Sequence, residues 1–211
     1  MRITSIVIAL LISACASGGG GVRINQPPLG AAPPGSSVQA LYEAGRDDEV
    51  IGRTAATGVR SEDVWFGAQS MLRMGQRGEA LEQFRRLRDT AESEAFKRAG
   101  EVALARLGGQ PEAMQIAQAA ASEFPSDPYV QFEVGVTSAL QRDDNAAAQA
   151  FDAALNASPG FAYAHYYAGL AYDRLNRPDV MVTRFESFIR LAPSAPERSQ
   201  VESVLRTARS R

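Results

Sequence analysis

The chain has 211 residues, a formal net charge of −2, one cysteine (Cys15) and one histidine (His165). A near-neutral balance of this kind argues against binding to nucleic acid or to an anionic lipid surface by charge alone. One cysteine and one histidine exclude a disulfide framework and the usual zinc ligand sets. The basic residues are almost all arginine, with Lys97 the single lysine.

The first element is an export signal. Met1-Arg2 supplies a short charged start, and Ile3 to Leu11 is apolar apart from Thr4 and Ser5. Spanning a bilayer takes about 20 apolar residues, so the stretch reads as a secretory signal rather than a membrane anchor. It closes on Ile12-Ser13-Ala14-Cys15, which resembles the bacterial lipobox. That resemblance implies cleavage before Cys15 and lipid on its thiol and amine. Residues 1–14 are then the signal peptide and residue 15 the start of the mature chain. At about 0.8 kcal/mol per buried CH2, two or more acyl chains hold a protein stably on a membrane. Ala16, in place of Asp, resembles the outer-membrane sorting signal, with the periplasmic face the expected side. Residues 15–36 continue through Gly18 to Gly21, Pro27-Pro28 and Pro33-Pro34. This composition is that of a flexible to semi-extended tether. Its glycines are not a phosphate loop, because no Gly-Lys-Ser/Thr follows them.

From Ser37 onward the chain is rich in Ala, Leu, Glu and Arg, with apolar residues at helical spacing. Breakers recur at Gly75, Gly108-Gly109, Pro125, Pro159-Gly160, Pro178 and Pro193. A shift of 34 residues superposes Gly135 on Gly169, Tyr129 on Tyr163, Phe151 on Phe185, and Pro159 on Pro193. This helix–turn–helix period resembles the tetratricopeptide repeat. Residues 128–161 carry Gly135, Ala147, Phe151, Ala154 and Pro159 at the repeat's positions 8, 20, 24, 27 and 32. Residues 162–195 carry Gly169, Met181, Phe185, Phe188 and Pro193 there, with larger residues than usual at 20 and 27. The small residue at 8 lets two helices approach, and the proline at 32 ends the second helix.

Upstream the pattern is weaker. Residues 61–93 keep Ala68, Ala80, Phe84 and Leu87, whereas residues 94–127 keep Ala113, Ala120 and Pro125 but place Glu101 at position 8 and Ala117 at position 24. Residues 37–57 read as a divergent half repeat. Residues 196–211 read as a capping helix, with Val201, Val204, Leu205 and Ala208 on one face. The resemblance thus implies an all-α, right-handed α-solenoid over residues 37–211.

No catalytic set accompanies it. His165 sits at position 4 of its repeat, where a packing role is expected. The chain also has no Gly-x-Ser-x-Gly elbow. The acidic runs Asp47-Asp48-Glu49 and Asp143-Asp144 fall at turns and helix starts. The expectation is a protein that is not an enzyme, takes no cofactor or metal, and has no small-molecule substrate.

In the tetratricopeptide family the concave face is lined by the first helix of each repeat. Here that assigns a partner-binding groove to Trp65, Arg73, Arg98, Arg106, Tyr129, Phe132, Tyr163, Tyr166 and Arg174; the alternative is that part of this stripe is internal packing or is covered by the chain's own tail. Tyr, Trp and Arg are the residue types that dominate interface energies. The Lys and Asn residues with which some members capture a C-terminal carboxylate are absent from these positions. The reading that follows is an outer-membrane-anchored protein–protein scaffold, an adaptor for a pilus, secretion or other envelope machine. Two alternatives stand beside it: a cell-wall-associated regulator of peptidoglycan enzymes, and an accessory subunit of outer-membrane β-barrel assembly.

Overall fold

The computed structural model describes residues 35–209. Cys15, the signal segment and most of the tether therefore lie outside the described residues. From residue 38 the chain forms paired helices. They are α1 Val38–Glu43, α2 Asp47–Thr54, α3 Ser61–Arg73, α4 Arg77–Thr90, α5 Glu94–Leu107, α6 Ala113–Glu123, α7 Pro128–Leu140, α8 Asp144–Ala157, α9 Ala162–Arg174, α10 Pro178–Leu191 and α11 Arg198–Arg209. No strand occurs among the described residues, and none of the described helices is long and apolar enough to cross a membrane.

Local chemistry sets several boundaries. Ser37 Oγ accepts from the Ala40 amide at 3.1 Å and caps α1. One carboxylate oxygen of Asp127 accepts from the Tyr129 and Val130 amides at 3.0 and 2.9 Å, with Pro128 in the first turn of α7. A side-chain acceptor at this position satisfies amides that the helix itself leaves unpaired.

Within each pair the first helix ends the same way. Gly45, Gly75, Gly109, Arg142 and Asn176 all have positive φ, between 55° and 76°. At the α3 end, Gln76 N–H donates back to Met71 O at 2.8 Å and Gly75 N–H to Leu72 O at 3.1 Å. The same two-bond closure recurs after α1, α5, α7 and α9. It is the left-handed helix stop that glycine accommodates best. Arg142 and Asn176 adopt it with a side chain present.

Packing between the paired helices follows the repeat. A Cβ added to Gly135 would lie 2.6 Å from the Phe151 ring, and one added to Gly169 would lie 2.5 Å from the Phe185 ring. The small residue at position 8 therefore makes room for the aromatic ring at position 24 of its own repeat. Met181 and Phe188, the larger residues at positions 20 and 27 of the last repeat, are both buried. Phe188 packs on Tyr163 and Tyr166, with ring centroids 5.5 and 5.1 Å apart.

The unit at 94–127 departs from its sequence register. Glu101 does not occupy the inward position: it is half-exposed and pairs with Arg98 at 2.5 Å. Val102, one residue on, is fully buried in the small cluster that also holds Ala117. A Cβ on Gly100 would meet Phe84 O of α4 at 2.9 Å, so α5 is drawn close to the helix before it. In this unit the larger residue stands on the first helix and the smaller on the second, the reverse of Gly135 with Phe151. At the C-terminus α11 buries Val201 and Leu205, and it closes the end of the array.

Candidate functional site

The first helices of the units carry the aromatic residues expected to form a groove. In the folded chain these residues face one another across the axis of the array. Trp65 of α3 packs edge-on against Phe132 of α7, with centroids 5.3 Å apart, and against Phe161 at 5.8 Å. Tyr42 of α1 lies 4.8 Å from Tyr163 of α9. Trp65, Phe132, Tyr163 and Tyr166 are each no more than 2% exposed. The expectation of an open apolar groove on these four residues is therefore corrected. Their rings meet one another instead, and burial of that much apolar surface is the dominant favourable term in folding.

Three of the arginines are also committed internally. Arg73 grips Asp47 with Nε at 3.0 and 2.9 Å and with Nη2 at 2.6 Å. Its Nη2 donates to Tyr42 O at 2.7 Å and its Nη1 to the Tyr163 hydroxyl. The guanidinium also stands 4.2 Å from the Tyr42 ring centroid, a cation–π contact. Tyr163 in turn donates to Glu197 at 2.9 Å. Burial pushes the Tyr163 phenol well above its ordinary value, against the opposing effect of Arg73. It therefore stays protonated and serves both partners. Arg174 Nη1 pairs with Asp144 at 2.9 Å.

Arg106 pairs with a residue outside the set expected from the sequence. Glu133 of α7 is fully buried. One of its oxygens accepts from Trp65 Nε1 at 3.0 Å and Gln69 Nε2 at 2.7 Å, and the other from Arg106 Nη2 at 2.7 Å. A buried carboxylate needs this number of donors, because an unpaired buried charge is strongly destabilising. A signal is present in the sequence, since Glu133 is the only charged residue within α7.

Arg98 and Tyr129 are also partly accessible. Arg98 is half-exposed and pairs with Glu101 and Glu123. Tyr129 is half-buried and donates to Glu62 at 2.5 Å. Its phenol is pushed up, first by burial and then by that carboxylate. The two ends of the array also touch. A Cβ on Gly45 would fall 2.5 Å from Pro196 Cγ, which places the first turn against the segment preceding α11.

Elsewhere the surface is polar. Met74 is the one exposed large hydrophobic residue among the described residues. An open cavity of about 360 Å³ lies between α10 and α11, and none of the nine predicted residues lines it. No group of three or more His, Cys, Asp or Glu residues is placed to hold a metal among the described residues. His165 is buried, with Nε2 3.0 Å from Pro159 O and Nδ1 without a partner.

No protein-family model matches the sequence, and no curated protein matches it. Solved structures do match. TTC0263, a thermophilic TPR protein of Thermus thermophilus, is 15% identical over 82% of this chain and 98% of its own, with a TM-score of 0.54. MamA of Desulfovibrio magneticus is 15% identical over 78% of this chain and 98% of its own, with a TM-score of 0.41. At this identity the likeness to the Thermus protein concerns the fold alone. In fold, the chain is an all-α solenoid of tetratricopeptide-like repeats.

Proposed function

We propose that the protein is a lipid-anchored scaffold that holds a protein partner at the outer membrane, as an adaptor in assembly of a pilus, secretion or similar envelope machine. What supports this reading is the order of segments: residues 1–14 read from the sequence as an export signal before Cys15, residues 15–36 read as a Gly/Pro tether, then the helical-repeat body. Lipid on Cys15 fixes the chain to the bilayer, and the tether lets the body stand away from it. Repeat solenoids of this architecture present extended surfaces and bind through side chains rather than through a deep pocket.

The internal commitment of Trp65, Phe132, Tyr163 and Tyr166 moves the expected contact surface outward. The partner meets the polar exterior, including the accessible edge at Arg98 and Tyr129. Such an interface relies on charge pairing and hydrogen bonds at the rim more than on a large apolar patch.

The test is made in the native host. The wild-type chain should incorporate labelled palmitate and fractionate with outer membranes, whereas the Cys15→Ser chain should do neither. A photo-reactive residue at Arg98 should crosslink one envelope protein reproducibly. Equal membrane retention of the Cys15→Ser chain would sink the anchor. Absence of any specific crosslink from Arg98 or from other exterior positions would sink the scaffold.

A further inference from the structure

The second helix of each repeat is held to the array by what it buries. α4 buries Ala80, Phe84 and Leu87, α8 buries Phe151 and Leu155 among others, and α10 buries Met181, Phe185 and Phe188. α6 buries three alanines, Ala113, Ala117 and Ala120. Its larger residues, Met114 and Ile116, and Phe124 just beyond its end are only half-buried. The buried members of the cluster it joins, which is separate from the main core, are all alanine or valine: Ala95, Ala99, Val102, Ala117, Ala120, Val130, Val134 and Ala150, with the half-buried Ile116, Ala121, Phe124 and Tyr129 packed against them.

Its polar ties are few. The Gln131 side chain of α7 donates to Ala121 O at 3.3 Å and Phe124 O at 3.1 Å. Glu123 pairs with Arg98 at 2.7 Å, with both side chains more than a third exposed. Pairs as exposed as this contribute little. No side-chain cap closes the N-terminus of α6. It is bounded by Gly108-Gly109 and Pro111 on one side and by Pro125 and Pro128 on the other. A segment with few buried apolar contacts opens locally, below the free energy of global unfolding.

We infer that α6 is a releasable helix, which undocks from α5 and α7 while the aromatic core of the array stays closed. The half-repeat at residues 113–123 is thus the point at which the solenoid opens. Undocking uncovers Val102, Val130 and Val134, which the folded array keeps from water. The rest of the array does not need to move, because Trp65, Phe132 and Tyr166 belong to the other cluster.

Two measurements on the full chain test this. In native-state hydrogen exchange, the amides of residues 113–123 should exchange at least about tenfold faster than those of α8, at denaturant concentrations that leave the global melt untouched. In a Cys15→Ser background, Ala117→Cys should react with a thiol reagent at least about tenfold faster than Ala154→Cys, which is buried on α8. Exchange and labelling within tenfold of α8, or loss of protection only with global unfolding, would overturn the inference. The exchange measurement needs no substitution, so it decides the question even if a cysteine variant misfolds.

Discussion

Glu133 ties α7 to α3 and α5. It is fully buried and receives three donors from α3 and α5. Glu133→Ala leaves the Arg106 guanidinium, itself 8% exposed, without its counter-charge. Breaking a buried pair from one side costs about 3–5 kcal/mol, so chemical denaturation should show a loss of that order. Glu133→Gln, which keeps acceptor capacity, should lose less. Arg142 and Asn176 offer the opposite sign. Both hold positive φ, at 64° and 55°, where a side chain is strained. Arg142→Gly removes the Cβ from this left-handed position, and a rise in stability of about 0.5–1 kcal/mol is expected by calorimetry. His165 gives a pH dependence. Burial, ahead of the nearby Arg184 and Arg190 charges, lowers its native value below 6.5, against the hydrogen bond to Pro159. The neutral ring is therefore favoured in the native state. The stability this confers is complete above about pH 6.5 and is lost as pH falls through that value toward the lowered native one. The single imidazole signal should titrate below the ordinary value by NMR, and the slope of stability against pH should flatten in His165→Gln.

At the scale of the element, the repeat is legible where position 8 is glycine. The 34-residue spacing of Gly135 and Gly169 matches the spacing of Phe151 and Phe185, and each glycine lies against its own ring. Gly135→Ala places a methyl group into the Phe151 ring, and overpacking of this kind costs about 1–3 kcal/mol. In the Gly135→Ala/Phe151→Leu double variant the two losses should not add, which a double-mutant cycle reads directly. The same reasoning explains why the unit at 94–127 differs by one residue from its sequence register. Counting from its neighbours puts Glu101 at the inward position, whereas α5 is turned so that Val102 faces inward. Its left-handed stop at Gly109 also comes one residue later in the unit than those at Gly75 and Arg142. A charge beside a valine in an amphipathic helix is a local signal for that shift, and the period outweighs it.

At the scale of the whole molecule, the ends of the array are joined through Arg73, which ties Asp47 and Tyr42 to Tyr163, with Glu197 beyond. These contacts span separations of 26, 31, 90 and 34 residues along the chain. Asp47→Asn and Tyr163→Phe act on the same guanidinium, so their effects on stability should be coupled by about 0.5–3 kcal/mol rather than additive. Additivity within measurement error would mean that the network does not act as one unit. The Tyr42–Tyr163 contact links the first unit to the last across this same junction.

The amino-acid sequence by itself determined the helices, their pairing and their period. Those depend on capping residues, left-handed stops and the spacing of apolar residues, all of which act over a few turns. Only the tertiary structure decided what the first helices face. Trp65, Phe132, Tyr163 and Tyr166 have the same composition and spacing whether they line an open surface or close on one another. What goes with the closed arrangement lies elsewhere in the chain: α5 approaches α4 closely at Gly100, and Arg73 pairs with Asp47. Both are contacts between elements, so no repeat read singly contains them.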